Sequence, residues 1–218
     1  MKKALVIALV MALSVPLSLG AKLPNHPESI QPLTSEGRGI CTTWSVNKLK
    51  GLWATAAHCV MGTFEDLDTG ESFDIAWPLE IDGKPAEVVR ISKFGEGWDL
   101  ALLSADVHEP GLKLGDYPKV GDEVTVYGFP GGWLTPVVTW LRVSNPFHMW
   151  DKEVGMLWRA NMLFDGNFFP GHSGSPILDK KGRVVSVVQG AFGDRFRGLA
   201  LGVPHSVLKD FLVDAVEK

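Results

Sequence analysis

Only two of the 218 residues are cysteine, Cys41 and Cys59. That scarcity excludes a multiply bridged mini-scaffold, and two cysteines alone do not make a zinc site. His26, His108, His148 and His205 do not pair with other ligands at metal spacing. They read as surface or structural residues, and no metal or organic cofactor is expected. Positive charge is also short: Lys and Arg total 21 against 25 for Asp and Glu, a formal net charge of −4 without a basic cluster. Nucleic acid and anionic membranes are poor partners for such a chain. Long apolar runs are confined to the start. The run from Ala4 to Gly20 is shorter than the about 20 residues that span a bilayer, and no later stretch is long enough. No repeat or low-complexity tract is present.

The first segment has the marks of an export signal. Lys2 and Lys3 precede the apolar run, and Ser18-Leu19-Gly20-Ala21 offers small residues for cleavage. Residues 1–20 are therefore expected as a signal peptide. The expected location is extracytoplasmic, periplasmic or secreted, with no stable membrane association after cleavage. An oxidising destination makes one disulfide the natural reading of Cys41 and Cys59; two free buried thiols are the alternative. A bridge would close a loop of about 18 residues and stabilise by ~3 kcal/mol in the chain-entropy picture.

Twenty-four Gly and 14 Pro favour short elements joined by turns, an all-β leaning. Residues 21–36 read as a polar, Pro-bearing N-terminal arm. Short strand-like runs follow at 39–46, 52–56, 87–92 and 100–104. A second group covers 123–129, 137–143, 155–162, 184–189 and 199–203. Glu123 to Tyr127 alternates polar and apolar, and Val184 to Val188 is β-branched and continuous, as a core strand is. Residues 105–120, with Pro110, Gly111, Gly115 and Pro118, read as a connection between two halves. Val207, Leu208, Phe211, Leu212 and Ala215 share one face at helical spacing, with Ser206 expected to cap the start.

Three motifs carry chemistry. In Gly171-His172-Ser173-Gly174-Ser175-Pro176, a serine between glycines suits a tight turn. Its backbone permits the N–H groups of Gly171 and Ser173 to converge as an oxyanion hole. Ala57-His58-Cys59 ends an apolar strand. A lone histidine there is ordinarily a satisfied core residue, but imidazole is also the base that a serine hydroxyl needs near neutral pH. Trp98-Asp99-Leu100 puts a carboxylate into an apolar run, where burial demands a partner such as a histidine N–H. The order is His, Asp, Ser, which is the chymotrypsin order and not that of subtilisin or the α/β-hydrolases.

These residues resemble the trypsin-like (chymotrypsin-fold) serine peptidases. Thr55-Ala56-Ala57-His58-Cys59 matches the histidine motif, Asp99-Leu100-Ala101-Leu102-Leu103 the aspartate motif, and Gly171 to Pro176 most of the serine motif. Leu114-Gly115-Asp116, Val120-Gly121-Asp122 and Tyr127 to Gly132 look like the bacterial branch with HtrA-like and glutamyl endopeptidases. The resemblance implies an all-β fold of two six-stranded antiparallel β-barrels with a C-terminal helix. The expected barrels are 37–110 and 111–218, the latter including the helix, with no PDZ module. It implies a triad of His58, Asp99 and Ser173 that hydrolyses peptide bonds through an acyl-enzyme. It implies a Cys41–Cys59 bridge beside the histidine. It also places Gly190 and Gly198 in the walls of the specificity pocket and Asn167 near its base. The strand carrying Gln189 would pair with extended protein or peptide substrate.

Departures from the animal trypsin pattern are informative. His172 replaces the aspartate that pairs with a new N-terminus, and no Ile-Val-Gly-Gly start is visible, so activation by that route is not expected. Ser175 replaces a common glycine, as in glutamyl endopeptidases, but Val187 and Val188 stand where those carry a histidine. No acidic residue marks the pocket base, so neither glutamate nor Lys/Arg preference is expected. Trp133, Trp140, Trp150 and Trp158 read as core or loop-packing residues rather than a substrate face. Two other readings compete. One is an inactive trypsin-fold binding protein. The other is an α/β-hydrolase, opposed by Ser175 in the last position of G-x-S-x-G and by the motif order.

Overall fold

The computed structural model of the chain describes residues 27–65, 72–92, 98–150, 160–191 and 198–216. The expected signal peptide, His26, Trp158 and the first part of the strand expected at 155–162 lie outside them.

The N-terminal half contains β1 (Ile30–Ser35), β2 (Arg38–Asn47), β3 (Leu52–Thr55), β4 (Met61–Glu65), β5 (Ser72–Ala76), β6 (Leu79–Ile81), β7 (Lys84–Ile91) and β8 (Ala101–Ala105). Six of these close into an antiparallel barrel in the order β1-β2-β3-β8-β7-β6, sealed where β1 meets β6. β4 and β5 form a separate hairpin. The C-terminal half contains β9 (Glu123–Gly128), β10 (Val137–Met149), β11 (Ala160–Asp165), β12 (Pro176–Leu178), β13 (Val184–Ala191) and β14 (Leu199–Gly202), then α1 (His205–Leu212). Its barrel runs β10-β11-β14-β13-β12-β9 and closes where β10 meets β9. The two six-stranded barrels and the single C-terminal helix are as the sequence implies.

Several expectations change. The polar arm is only partly an arm, since its residues 30–35 form β1, paired with β2 on one side and β6 on the other. Pairing with β2 carries Gln31 and Pro32 into the strand, and Thr34 is paired on both sides. β10 continues six residues past Val143, to Met149, with register shifts around Asn145. Ser206 lies inside α1, whose N-cap position is Pro204 without a side-chain cap. Trp133 and Trp140 are exposed rather than packed.

Each barrel has its own core. Leu33, Trp53, Ile81 and Leu103 fill the first, and Val126, Phe164, Met162 and Ile177 fill the second. A third cluster lies between them and decides how they meet. It joins Ile30, Trp44 and Leu100 of the first half to Phe129, Leu178 and Val187 of the second, and takes in Leu208, Leu212 and Ala215 from the C-terminal end. Leu208 and Leu212, one helical turn apart, are both fully buried. The connection after β8 stitches the halves as well: Leu112 N–H donates to Ser45 C=O (2.9 Å), and Val184 N–H donates to Lys113 C=O (2.8 Å).

Candidate active site

The expected base and its partner come from the first barrel. β3 ends at Thr55, and residues Ala57–Cys59 make one 3₁₀ turn that carries His58. Cys59 is bonded to Cys41 of β2, and both sulfurs are buried. Asp99 precedes β8. Ser92 N–H donates to Leu100 C=O (2.8 Å) and Leu100 N–H donates to Ser92 Oγ (2.9 Å), so the Asp99 backbone is held from its neighbour. Asp99 is 3% exposed. Its Oδ1 accepts the His58 backbone N–H at 2.9 Å and its Oδ2 lies 2.7 Å from His58 Nδ1. A carboxylate only accepts, so Nδ1 carries a hydrogen, and in the neutral ring Nε2 keeps its lone pair. The His58 side chain remains 37% exposed, so that lone pair is reachable. Cys41, Cys59 and His58 place ligand atoms within 4.8 Å of one another, but the disulfide occupies both sulfurs.

Ser173 sits in the loop between β11 and β12, pressed against the first barrel. Gly174 has φ +81°, and a Cβ there would collide with Thr42 C=O and Thr55 Oγ1 and stand 3.0 Å from Ala56 N. This close approach requires glycine and brings Ser173 beside the start of the turn that carries His58.

The backbone of residues 169–175 is almost completely paired. Phe169 C=O accepts from His172 N–H (2.9 Å), Pro170 C=O from Gly131 N–H (2.6 Å), His172 C=O from Ser175 N–H (2.9 Å) and Ser173 C=O from Thr42 N–H (2.9 Å). Gly171 C=O accepts from the Thr42 hydroxyl (2.9 Å). Among the N–H groups, Phe169 donates to His172 Nδ1 (3.1 Å) and Gly174 to Val188 C=O (2.9 Å). Pro170 has no N–H. Two donors are left without a partner among the described residues: Gly171 and Ser173. Gly171 has φ +94°, and a Cβ there would lie 2.6 Å from Phe129 C=O, so only glycine serves.

His172 is fully buried, and that burial lowers its pKa to about 4. It is neutral near pH 7, with Nδ1 accepting from Phe169 and the hydrogen on Nε2. The ring packs against Phe168 and Phe169. Among the described residues, the Nε2 of His172 and the Oγ of Ser175 are buried without a hydrogen-bond partner, and the His172 ring and the Ser175 hydroxyl border Gly128.

The residues expected around the specificity pocket fall into two groups. Asn167 Oδ1 accepts Gly198 N–H (3.2 Å) and Gly166 N–H donates to Gly198 C=O (2.8 Å), so Asn167 and Gly198 are together. Gly190 lies on β13 opposite Leu201. The Gln189 side chain, 2% exposed, turns away from solvent: its Oε1 accepts from Asn161 Nδ2 (2.5 Å), whose Oδ1 accepts from Trp150 Nε1 (2.6 Å). Only the backbone of Gln189 is therefore left for a substrate. Thr42 and Asn161 escape the sequence reading, and Gly131 enters it only as part of a motif; each gains its place through a distant partner.

Two closed antiparallel barrels, a His–Asp pair at one barrel's edge and a glycine-flanked serine on the other define the chymotrypsin-like class. The trypsin-like peptidase domain family matches residues 37–187, and the chain belongs to that family. Among curated proteins it is 28% identical over 139 residues to "Protease Do-like 2, chloroplastic" of Arabidopsis thaliana, a match covering 58% of this chain and 22% of that protein. The chain thus spans about a fifth of the length of that relative. Among solved structures, an inactive-form serine-to-alanine mutant of Rv3671c from M. tuberculosis H37Rv shares the fold with a TM-score of 0.65 and 21% identity, covering 86% of each chain. The HtrA-type protease AlgW with a tripeptide gives 0.63 and 18%, covering 88% of this chain and 61% of that one.

Proposed function

We propose that the chain is a serine endopeptidase of extracytoplasmic location that hydrolyses protein or peptide substrates through an acyl-enzyme. Ser173 attacks the peptide carbonyl. His58 Nε2 takes the hydroxyl proton and later gives a proton to the leaving amine. Asp99 fixes the His58 tautomer and stabilises the imidazolium. The N–H groups of Gly171 and Ser173 hold the oxyanion. One observation carries this reading: every carbonyl from Phe169 to Ser173 is engaged elsewhere, which leaves the Gly171 and Ser173 N–H groups as a pair of free donors at the serine. The family match and the buried His58–Asp99 pair support it. Peptide backbone would add alongside β13 near Gly190, with Asn167 and Gly198 bounding a neutral pocket for the side chain. An export location is supported by the disulfide and the N-terminal signal pattern. No helix among the described residues is long and apolar enough to cross a membrane.

The test is labelling of the purified, disulfide-bonded protein with a fluorophosphonate, read by intact mass. Stoichiometric addition in the wild type, absent from Ser173→Ala and greatly slowed in His58→Ala, is expected. A folded wild type that stays unlabelled would instead favour the inactive trypsin-fold binding protein.

A further inference from the structure

We infer that Thr42, on β2 of the first barrel, is a positioning residue for the oxyanion hole of the second; this rests on the peptidase reading above. Thr42 is fully buried, and all of its polar groups are engaged. Its N–H donates to Ser173 C=O at 2.9 Å, and its C=O accepts from Thr55 Oγ1 at 2.8 Å. Its hydroxyl lies 2.9 Å from Gly171 C=O and 3.0 Å from Phe129 N. Phe129 N–H can only donate, so the single hydroxyl hydrogen of Thr42 goes to Gly171 C=O. One residue thus holds the carbonyls of both residues whose N–H groups are free.

The geometry explains why this matters. In a trans peptide the C=O and the next N–H point in opposite directions. Gly131 N–H, by holding Pro170 C=O at 2.6 Å, sets the direction of the Gly171 N–H. Gly171 itself is the most permissive residue of the turn, at φ +94°, and can rotate unless its own carbonyl is also held. Thr42 supplies that second hold. The same hydroxyl accepts from Phe129, at the head of the segment that carries Gly131, so it ties the two anchors to each other. A Thr→Val change keeps the shape and removes only the hydroxyl.

The test compares Thr42→Val and Thr42→Ser with Thr43→Val. Thr43 is an equally buried neighbour whose hydroxyl donates to Ala54 C=O (2.9 Å) and does not touch the turn. Peptide hydrolysis by the full chain is followed together with inhibition by a peptide aldehyde, whose hemiacetal oxygen occupies the hole. Thr42→Val should lose about 10- to 100-fold in kcat, below the ~10²–10³ expected for outright removal of a donor. KM should stay within about threefold, and aldehyde affinity should fall in parallel with kcat. Thr42→Ser should recover most of the rate, and Thr43→Val should keep it. Should Thr42→Val not fold, Thr42→Ala carries the same expectation. Wild-type kcat in Thr42→Val, an equal loss in Thr43→Val, or no recovery in Thr42→Ser overturns the inference. If the wild type shows no turnover, the peptidase reading is what fails, and amide exchange over 169–173 still decides the anchoring. Faster exchange in Thr42→Val than in Thr43→Val keeps it; equal exchange overturns it.

Discussion

The two barrels hold their parts of the site by different means. In the first barrel, a buried carboxylate grips both the backbone and the ring of His58, so side-chain chemistry sets the geometry. In the second, Ser173 rides on a turn whose carbonyls are held one after another by backbone donors and one hydroxyl. The first arrangement depends on the identity of one side chain. The second depends on glycines that let backbone approach backbone. Residue identity should therefore control the proposed base, and backbone conformation should control the proposed oxyanion hole.

Breaking the first barrel's side of this comparison should have the larger effect. Asp99→Asn replaces an acceptor by an amide and favours the wrong tautomer of His58. We expect kcat for a peptide substrate to fall by about 10⁴-fold with the fold intact by circular dichroism. A loss below tenfold would show that Asp99 does not orient the base.

Gly171→Ala attacks the second barrel's side. Its Cβ would stand 2.6 Å from Phe129 C=O, at a φ that L-residues rarely adopt. The turn must reorient, and loss of one donor should lower kcat by about 10²–10³-fold. Stoichiometric fluorophosphonate labelling should persist, though slowly. An unchanged kcat would mean that the Gly171 N–H is not used.

The smallest expected effect sharpens the comparison through pH. His172 is held neutral by burial, with its pKa lowered from 6.5 to about 4. In the unfolded chain it binds a proton below about pH 6.5, so the unfolded state takes up more protons in this window. Stability present above pH 6.5 should thus be lost as pH falls towards 4, by up to about 3 kcal/mol. His205, buried against Val185 C=O, has its pKa lowered by desolvation and adds in the same direction. Urea unfolding at neutral and mildly acid pH checks this. His172→Asn should flatten the dependence, and an unchanged slope would remove His172 from the account.

The proposed triad residues were legible because each sits in a short local context that burial or turn chemistry makes unusual. Asp99 in an apolar run and Ser173 between glycines need no distant information to attract notice. The β13 core strand was legible for the same reason, since Val184, Val185, Val187 and Val188 are all buried. Thr42 was not, because its meaning lies 129 residues away at Gly171. Nor was β1, where Pro32 and polar neighbours hide a strand that pairing on both sides stabilises. The outward placement of Trp133 and Trp140 was hidden too: composition counts tryptophans as core residues, but their location follows from the register of β10 and its preceding turn.

The cluster between the barrels sets a temporal order on the molecule. His58 and Asp99 emerge before Ser173 in synthesis, and the seam is complete only once Leu208, Leu212 and Ala215 have followed. Asn47 Nδ2 donates to Ala215 C=O across 168 residues, which ties this late segment to the end of β2. Such long-range contacts form late and slowly. A nascent chain that has not yet released residues 208–215 cannot complete the seam, so the barrel that carries Ser173 lacks part of the packing that seats it against the barrel that carries His58 and Asp99.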